Sequence, residues 1–70
     1  MYVVAWHKDA EDKWAVAETE ELMYEVFEEA LDQVKVENIY IFEVKHDWSL
    51  EETRALYEKL IREGRIKSKQ

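Results

Sequence analysis

The chain of 70 residues contains no cysteine, no proline and only one glycine. Without cysteine it can form neither a disulfide nor a thiolate zinc site, and we expect a reducing, cytoplasmic environment. Because no proline-rich or glycine-rich linker divides the chain, we predict one domain over residues 1–70. The opening segment, MYVVAWHKD, has too short an apolar run for a signal peptide or a membrane span.

Motifs for catalysis are also missing. There is no glycine-rich phosphate loop and no cysteine nucleophile, and the two serines, Ser49 and Ser68, fall at a predicted helix cap and in the tail. His7 and His46 end two antiparallel strands, so we expect them at opposite ends of the sheet, without a shared metal. The dipeptide His46-Asp47 alone is a poor signal for a metal-dependent hydrolase. The sequence therefore predicts no enzyme, no cofactor and no metal.

Positive charge is scarce, since 10 Lys and Arg stand against 17 Asp and Glu and the formal net charge is −7. Such a charge repels phosphate and anionic lipid, so we expect neither direct nucleic-acid binding nor membrane association. Residues 18–37 alone carry −7, whereas residues 62–70 carry +3. We predict that residues 65–70 form a flexible basic tail.

What the chain does contain is a succession of strand and helix patterns. YVVAWH (2–7) and KWAVAE (13–18) are β-branched and aromatic, and the polar KDAED between them indicates a hairpin connection. A helical apolar period then runs from Thr19, a candidate N-cap, to about Val34, and ENIYIFEVKH (37–46) alternates as a third strand.

A second helix is predicted over residues 50–63, because Ser49 and Glu52 have the spacing of a capping box and Gly64 suits a left-handed C-cap. The order ββαβα, with a right-handed crossover, predicts a single small α+β domain. Its three-stranded antiparallel sheet has the order 2-1-3, and both helices pack on one face.

The two faces of this sheet follow from the register of the hairpin. We predict that Trp6 lies opposite Trp14 and Val4 opposite Val16, because this register sorts large side chains from small ones. The helices should cover the large side chains, which are Tyr2, Val4, Trp6, Trp14, Val16, Tyr40, Phe42 and Val44. The uncovered face should be a flat apolar interface of Val3, Ala5, Ala15, Ala17, Ile39 and Ile41. The inverse assignment would expose an aromatic platform of the kind that binds single-stranded RNA, although the net charge argues against RNA.

The first helix also carries a row of carboxylates on the side opposite its apolar stripe. We call this row the acidic face, and it is formed by Glu21, Glu25, Glu28, Glu29 and Asp32. Like charges meet there at i,i+3 and i,i+4, and each such pair costs roughly 0.2–0.5 kcal/mol in an isolated helix. The acids near the C-terminus of the helix also oppose its macrodipole. The plain explanation is a solvated helix face, but the second helix alternates the sign of its charges. The uncompensated row therefore favours a surface for a basic partner.

Two functions fit these observations, both without catalysis. In the first, the acidic face engages the basic surface of a nucleic-acid-handling protein and competes with its substrate, as small acidic DNA mimics of phages and mobile elements do. In the second, the chain is a structural module that forms a homodimer or binds another protein through the apolar sheet face. A third hypothesis, phosphate contact through Arg62, Arg65, Lys67 and Lys69, agrees least with the net charge.

Overall fold

The computed structural model describes residues 1–67 of the chain. Its elements are β1 (Tyr2–Lys8), β2 (Glu11–Ala17), α1 (Glu20–Leu31), β3 (Ile39–Glu43), β4 (His46–Asp47) and α2 (Leu50–Arg62). A single turn of 3-10 helix, Val36–Asn38, leads into β3.

The sheet is antiparallel and has the strand order β2-β1-β3-β4. The predicted α+β class and the predicted order 2-1-3 are confirmed, with both helices packed against the sheet. The added strand, β4, is only two residues long and pairs with the end of β3. It forms because the chain turns back on itself at residues 44–45 before α2 begins.

The helices begin and end where the capping residues stand. The Thr19 side chain accepts a hydrogen bond from the Leu22 backbone N–H, at 3.2 Å, and starts α1. Ser49 and Glu52 form a complete capping box at the start of α2, with N···O distances of 2.9 and 3.1 Å. Beyond α2, Gly64 adopts a φ of +74°, a conformation in which a side chain is strained.

The hairpin between β1 and β2 is tighter than the sequence predicts. Its loop has two residues, Asp9 and Ala10, and both have positive φ, at 52° and 65°. Positive φ at both central positions matches the right-handed twist of the flanking strands. The turn closes with Lys8 opposite Glu11, and this fixes the register of the whole ladder.

This register corrects the predicted one by a single residue. Trp6 lies opposite Lys13, and Trp14 lies opposite Ala5, so the predicted Trp6–Trp14 pair does not form. Because side chains alternate along a strand, a slip of one residue moves every side chain of β2 to the other face. Ala15 and Ala17 therefore share the helix-covered side with Val4, the reverse of the prediction.

The face assigned to β3 is also the reverse of the prediction. Ile39 and Ile41 are buried under the helices, whereas Tyr40 and Phe42 are exposed. Only β1 is as predicted, with Val4 and Trp6 in the core. The prediction that the uncovered surface consists of small and aliphatic side chains is therefore wrong for four of the six residues, namely Ala15, Ala17, Ile39 and Ile41.

One continuous core lies between the sheet and the helices. Its largest fully buried side chains are Phe27, Met23, Ile41, Leu60 and Val4, with Thr53 among them. The Thr53 hydroxyl donates to the backbone carbonyl of Ser49 at 3.0 Å, so this buried polar group is satisfied within its own helix.

The segment after α2 packs onto the domain. Ile66 is buried in the core, and Arg65 pairs with Glu21 at 3.0 Å. The predicted flexible tail therefore does not begin at residue 65. The remainder of that prediction, residues 68–70, lies outside the described residues.

Candidate binding surfaces

The side of the sheet that faces away from the helices, the open face, is formed by eight side chains of three strands. They are Val3, Ala5, His7, Asp12, Trp14, Val16, Tyr40 and Phe42. Cross-strand pairing puts Ala5 of the central strand directly between Trp14 and Tyr40. A small side chain between two aromatic ones leaves a shallow trough in the sheet surface.

A second row lies beside the first, with Val3 between Val16 and Phe42. The depression of about 250 Å³ at this surface is lined chiefly by the first row and by residues at the hairpin end of the sheet. Its lining residues are Val3, Ala5, Trp6, His7, Asp12, Lys13, Trp14 and Tyr40.

The aromatic side chains of the open face are in contact with solvent. Trp14 is 67% exposed, Tyr40 is 53% exposed and Phe42 is 38% exposed. Taking roughly 150–250 Å² as the area of one such side chain, these three contribute about 240–400 Å². The largest apolar patch of a typical monomer covers roughly 300–600 Å² and is often functional.

Charge on the open face is confined and internally paired. His7 and Asp12 lie opposite each other across the hairpin, and their side chains meet at 2.7 Å. Lys13 borders the depression, but by alternation Lys8 and Lys13 belong to the opposite side of the sheet. The surface therefore favours apolar and stacking contacts over recognition of a charged ligand.

The acidic face lies on α1, on the other side of the sheet from the open face. All five of its residues, Glu21, Glu25, Glu28, Glu29 and Asp32, are exposed. Glu21 pairs with Arg65, but within residues 1–67 the carboxylates of Glu25, Glu28 and Glu29 form no ion pair. The last turn of α1 contains no basic residue, whereas that of α2 contains Lys59 and Arg62.

One cation of the third hypothesis, Arg65, is held in contacts with α1. The Arg65 guanidinium lies 5.0 Å from the centre of the Tyr24 ring and is also paired with Glu21. The Lys59 ammonium donates to the Tyr24 hydroxyl at 3.3 Å. These contacts tie α1 to α2 and to the segment after it. Lys69, the last cation of the third hypothesis, lies outside the described residues.

Tyr24 takes part in these contacts between α1 and α2, although the predicted apolar period of α1 did not include it. Burial raises the pKa of its hydroxyl, and the hydrogen bond from Lys59 partly offsets that effect. The same hydrogen bond raises the pKa of Lys59. Tyr24 also lines a groove of about 430 Å³, in which acidic and basic side chains occur together. The lining residues of this groove are Glu20, Tyr24, Trp48, Glu52, Ala55, Leu56, Lys59 and Arg62. Because two carboxylates and two cations share this lining, the groove favours no ligand charge.

The two histidines lie apart and have separate partners. His7 pairs with Asp12, and His46 pairs with Glu52 at 2.8 Å. Across residues 1–67, no three side chains of the metal-ligating types come close enough to hold an ion. In the same part of the chain, neither helix has the length and the apolar character needed to cross a bilayer.

Comparison with known proteins adds no relative to these observations. No family model matches the chain. No curated protein and no solved structure matches it either. The two surfaces, the open face and the acidic face, are therefore the features that point to a function.

Proposed function

We propose that the protein is a binding module without catalytic activity, and that the open face is its working surface. The supporting observation is that Trp14, Tyr40 and Phe42 are exposed on the same face of the sheet. Large apolar side chains leave water when a partner covers them, at roughly 25 cal/mol per Å² of apolar area. Aromatic residues are also the ones that most often dominate binding energy at protein interfaces.

The partner that suits this surface is a protein. Single-stranded nucleic acids also stack on exposed aromatic rings, but their binding sites add a basic groove along the backbone. The eight side chains of the open face include no Lys or Arg, and the chain as a whole carries −7. The carboxylates would repel phosphate at the distances where steering acts.

The test is affinity capture with the wild type and two variants. A double substitution, Trp14→Ser with Phe42→Ser, removes the open face, while Leu22→Ser removes an exposed leucine of α1 as a matched control. We expect captured proteins, including untagged copies of this chain, to be lost with the double variant and retained with the control. Equal capture by all variants would refute the proposal. Circular dichroism of each variant checks that the fold is intact.

The acidic face is a second candidate surface, for a protein with a basic groove. The observation that favours it is the row of Glu25, Glu28 and Glu29, which no cation of residues 1–67 neutralises. Carboxylates about 6 Å apart along a helix would steer a basic partner and form charge-assisted hydrogen bonds with it.

Charge reversal separates the two candidates. Glu25→Lys with Glu28→Lys should abolish capture through the acidic face and leave capture through the open face unchanged. Raising the salt concentration should weaken binding through the acidic face and should not weaken binding through the open face. Capture that survives charge reversal and is insensitive to salt would eliminate the acidic face as the binding surface.

A further inference from the structure

We infer that the occupant of the open face is a second copy of this chain, packed sheet against sheet around a two-fold axis. This inference depends on the proposed function, since it names the partner of the same surface. Three features support it: the separation of charge from the open face, the shape of its rows, and the area it offers.

The first feature is the distribution of charge. Two chains of −7 repel each other, and most of that charge belongs to α1, on the side of the sheet remote from the open face. Facing sheets pack about 10 Å apart, and a helix layer of similar thickness lies behind each one. The two α1 helices would then be roughly 30 Å apart, beyond three Debye lengths at physiological salt. Association through the open faces thus keeps the two sets of carboxylates at a distance.

The second feature is the shape of the surface. A two-fold interface is made of the same patch twice, so the patch must contain both a projection and a recess that receives it. The projection is the Trp14 ring, which is two-thirds exposed. The recess is the trough over Ala5, between Trp14 and Tyr40. Because the projection borders the recess, a small offset of two facing sheets lets each molecule's ring enter the other's trough.

The third feature is the area. Stable specific interfaces bury about 800 Å² on each partner. The three aromatic side chains supply about 240–400 Å², to which Val3, Ala5 and Val16 add smaller portions. The interface therefore falls at the low end of specific contacts, and we expect a reversible dimer in equilibrium with its monomer. Its formation would enlarge the apolar core of a domain that is small on its own.

The test is analytical ultracentrifugation of the whole chain over a wide concentration range, at low and at high salt. The wild type should shift from a mass of 8.5 kDa to twice that value as its concentration rises. High salt should favour the dimer, because it screens the repulsion between two negative chains. Trp14→Ser should weaken self-association about tenfold or more while leaving the circular dichroism spectrum unchanged, and Leu22→Ser should leave both unchanged.

A distance measurement tests the arrangement directly. The chain has no cysteine, so Glu25→Cys introduces a single site for a spin label on the outer side of α1. Labelled dimers should give an inter-label distance of roughly 30 Å or more, since the helices face outwards. A distance well below 20 Å, or a dimer that Trp14→Ser leaves intact, would overturn the inference.

The failure of this inference is distinguishable from that of the proposed function. A wild type that stays monomeric at all concentrations overturns the dimer. If the double open-face variant nevertheless loses a captured protein, the open face binds a different protein and the proposed function stands. If a monomeric chain instead binds a single-stranded oligonucleotide through Trp14, both the dimer and the choice of a protein partner are wrong.

Discussion

Replacing Ala10 by glycine should stabilise the protein. Ala10 is exposed and has a φ of 65°, in the left-handed region, where Cβ crowds the following carbonyl oxygen. That conformation costs roughly 1–2 kcal/mol for a residue with a side chain. Glycine removes this cost but adds about 0.4–1 kcal/mol of chain entropy to the unfolded state. The net gain should be about 0.5–1 kcal/mol, since the methyl group makes no buried contact.

In a domain of this size, 1 kcal/mol corresponds to about 4–8 °C in Tm. Ala10→Gly should therefore raise Tm by about 2–8 °C, measured by thermal unfolding at one fixed protein concentration. The matched control is Ala55→Gly, the same change at an exposed position inside α2, which should lower the stability by about 1 kcal/mol. If both variants are destabilised alike, Ala10 is not held in the left-handed region and the hairpin register described above is in question.

Four further substitutions test the charges and the helix ends. The pKa of Glu52 is lowered, chiefly by the hydrogen bond from the backbone N–H of Ser49, the residue that caps α2. The ionised carboxylate therefore stabilises the fold above the ordinary pKa of 4.5, and this stabilisation is lost as the pH falls through the lowered pKa. Urea unfolding should accordingly show Glu52→Gln less stable than the wild type at pH 7, with the gap closing as the pH falls below 4.5. A gap independent of pH would contradict this cause. Glu28→Lys should stabilise α1 by about 0.3–1 kcal/mol, because it relieves like-charge repulsion and no longer opposes the helix macrodipole. Glu21→Lys should not stabilise it, because that change breaks the contact with Arg65. Urea unfolding in which both variants change the free energy of unfolding in the same direction would refute this explanation of the acidic face. Gly64→Ala should cost about 1 kcal/mol in thermal unfolding through its positive φ alone, because no atom lies within 4 Å of the added Cβ, and an unchanged Tm would count against this strain.

The sequence was sufficient for the features that depend on local chemistry. Thr19, Ser49 and Glu52 cap their helices as predicted, because the hydrogen bonds of a cap join residues only three apart. Strand order followed from the connections, since a right-handed crossover from β2 to β3 leaves few arrangements. These features do not depend on which side chains the helices finally cover.

The orientation of β2 and β3 was not predictable in the same way. The register of the hairpin depends on Asp9 and Ala10 both adopting positive φ, and the Asp-Ala pair lacks the glycine that normally signals such a turn. In β3 both alternating sets are apolar, Ile39 with Ile41 and Tyr40 with Phe42, so alternation alone could not identify the buried set. Preference for burying the larger side chains gave the wrong choice, and the aromatic rings form the open face instead.

The candidate site is therefore partly a product of the hairpin turn. Val3 and Ala5, on β1, were identified correctly as uncovered residues, whereas Trp14 and Val16 reach the same surface only because the register differs by one residue from the predicted one. The acidic face needed no tertiary information, since helical periodicity placed its carboxylates opposite the core. What the sequence could not reveal was the pairing of Glu21 with Arg65, which are 44 residues apart.

The three tryptophans occupy three different environments, and this makes the protein its own optical reporter. Trp6 is buried and donates to Gln33, Trp48 is half-buried and donates to Glu43, and Trp14 projects into solvent. Emission from Trp14 should be the most open to a soluble quencher and should shift to the blue when the open face is covered. Quenching experiments on the unmodified chain can thus follow occupation of that surface separately from unfolding of the core.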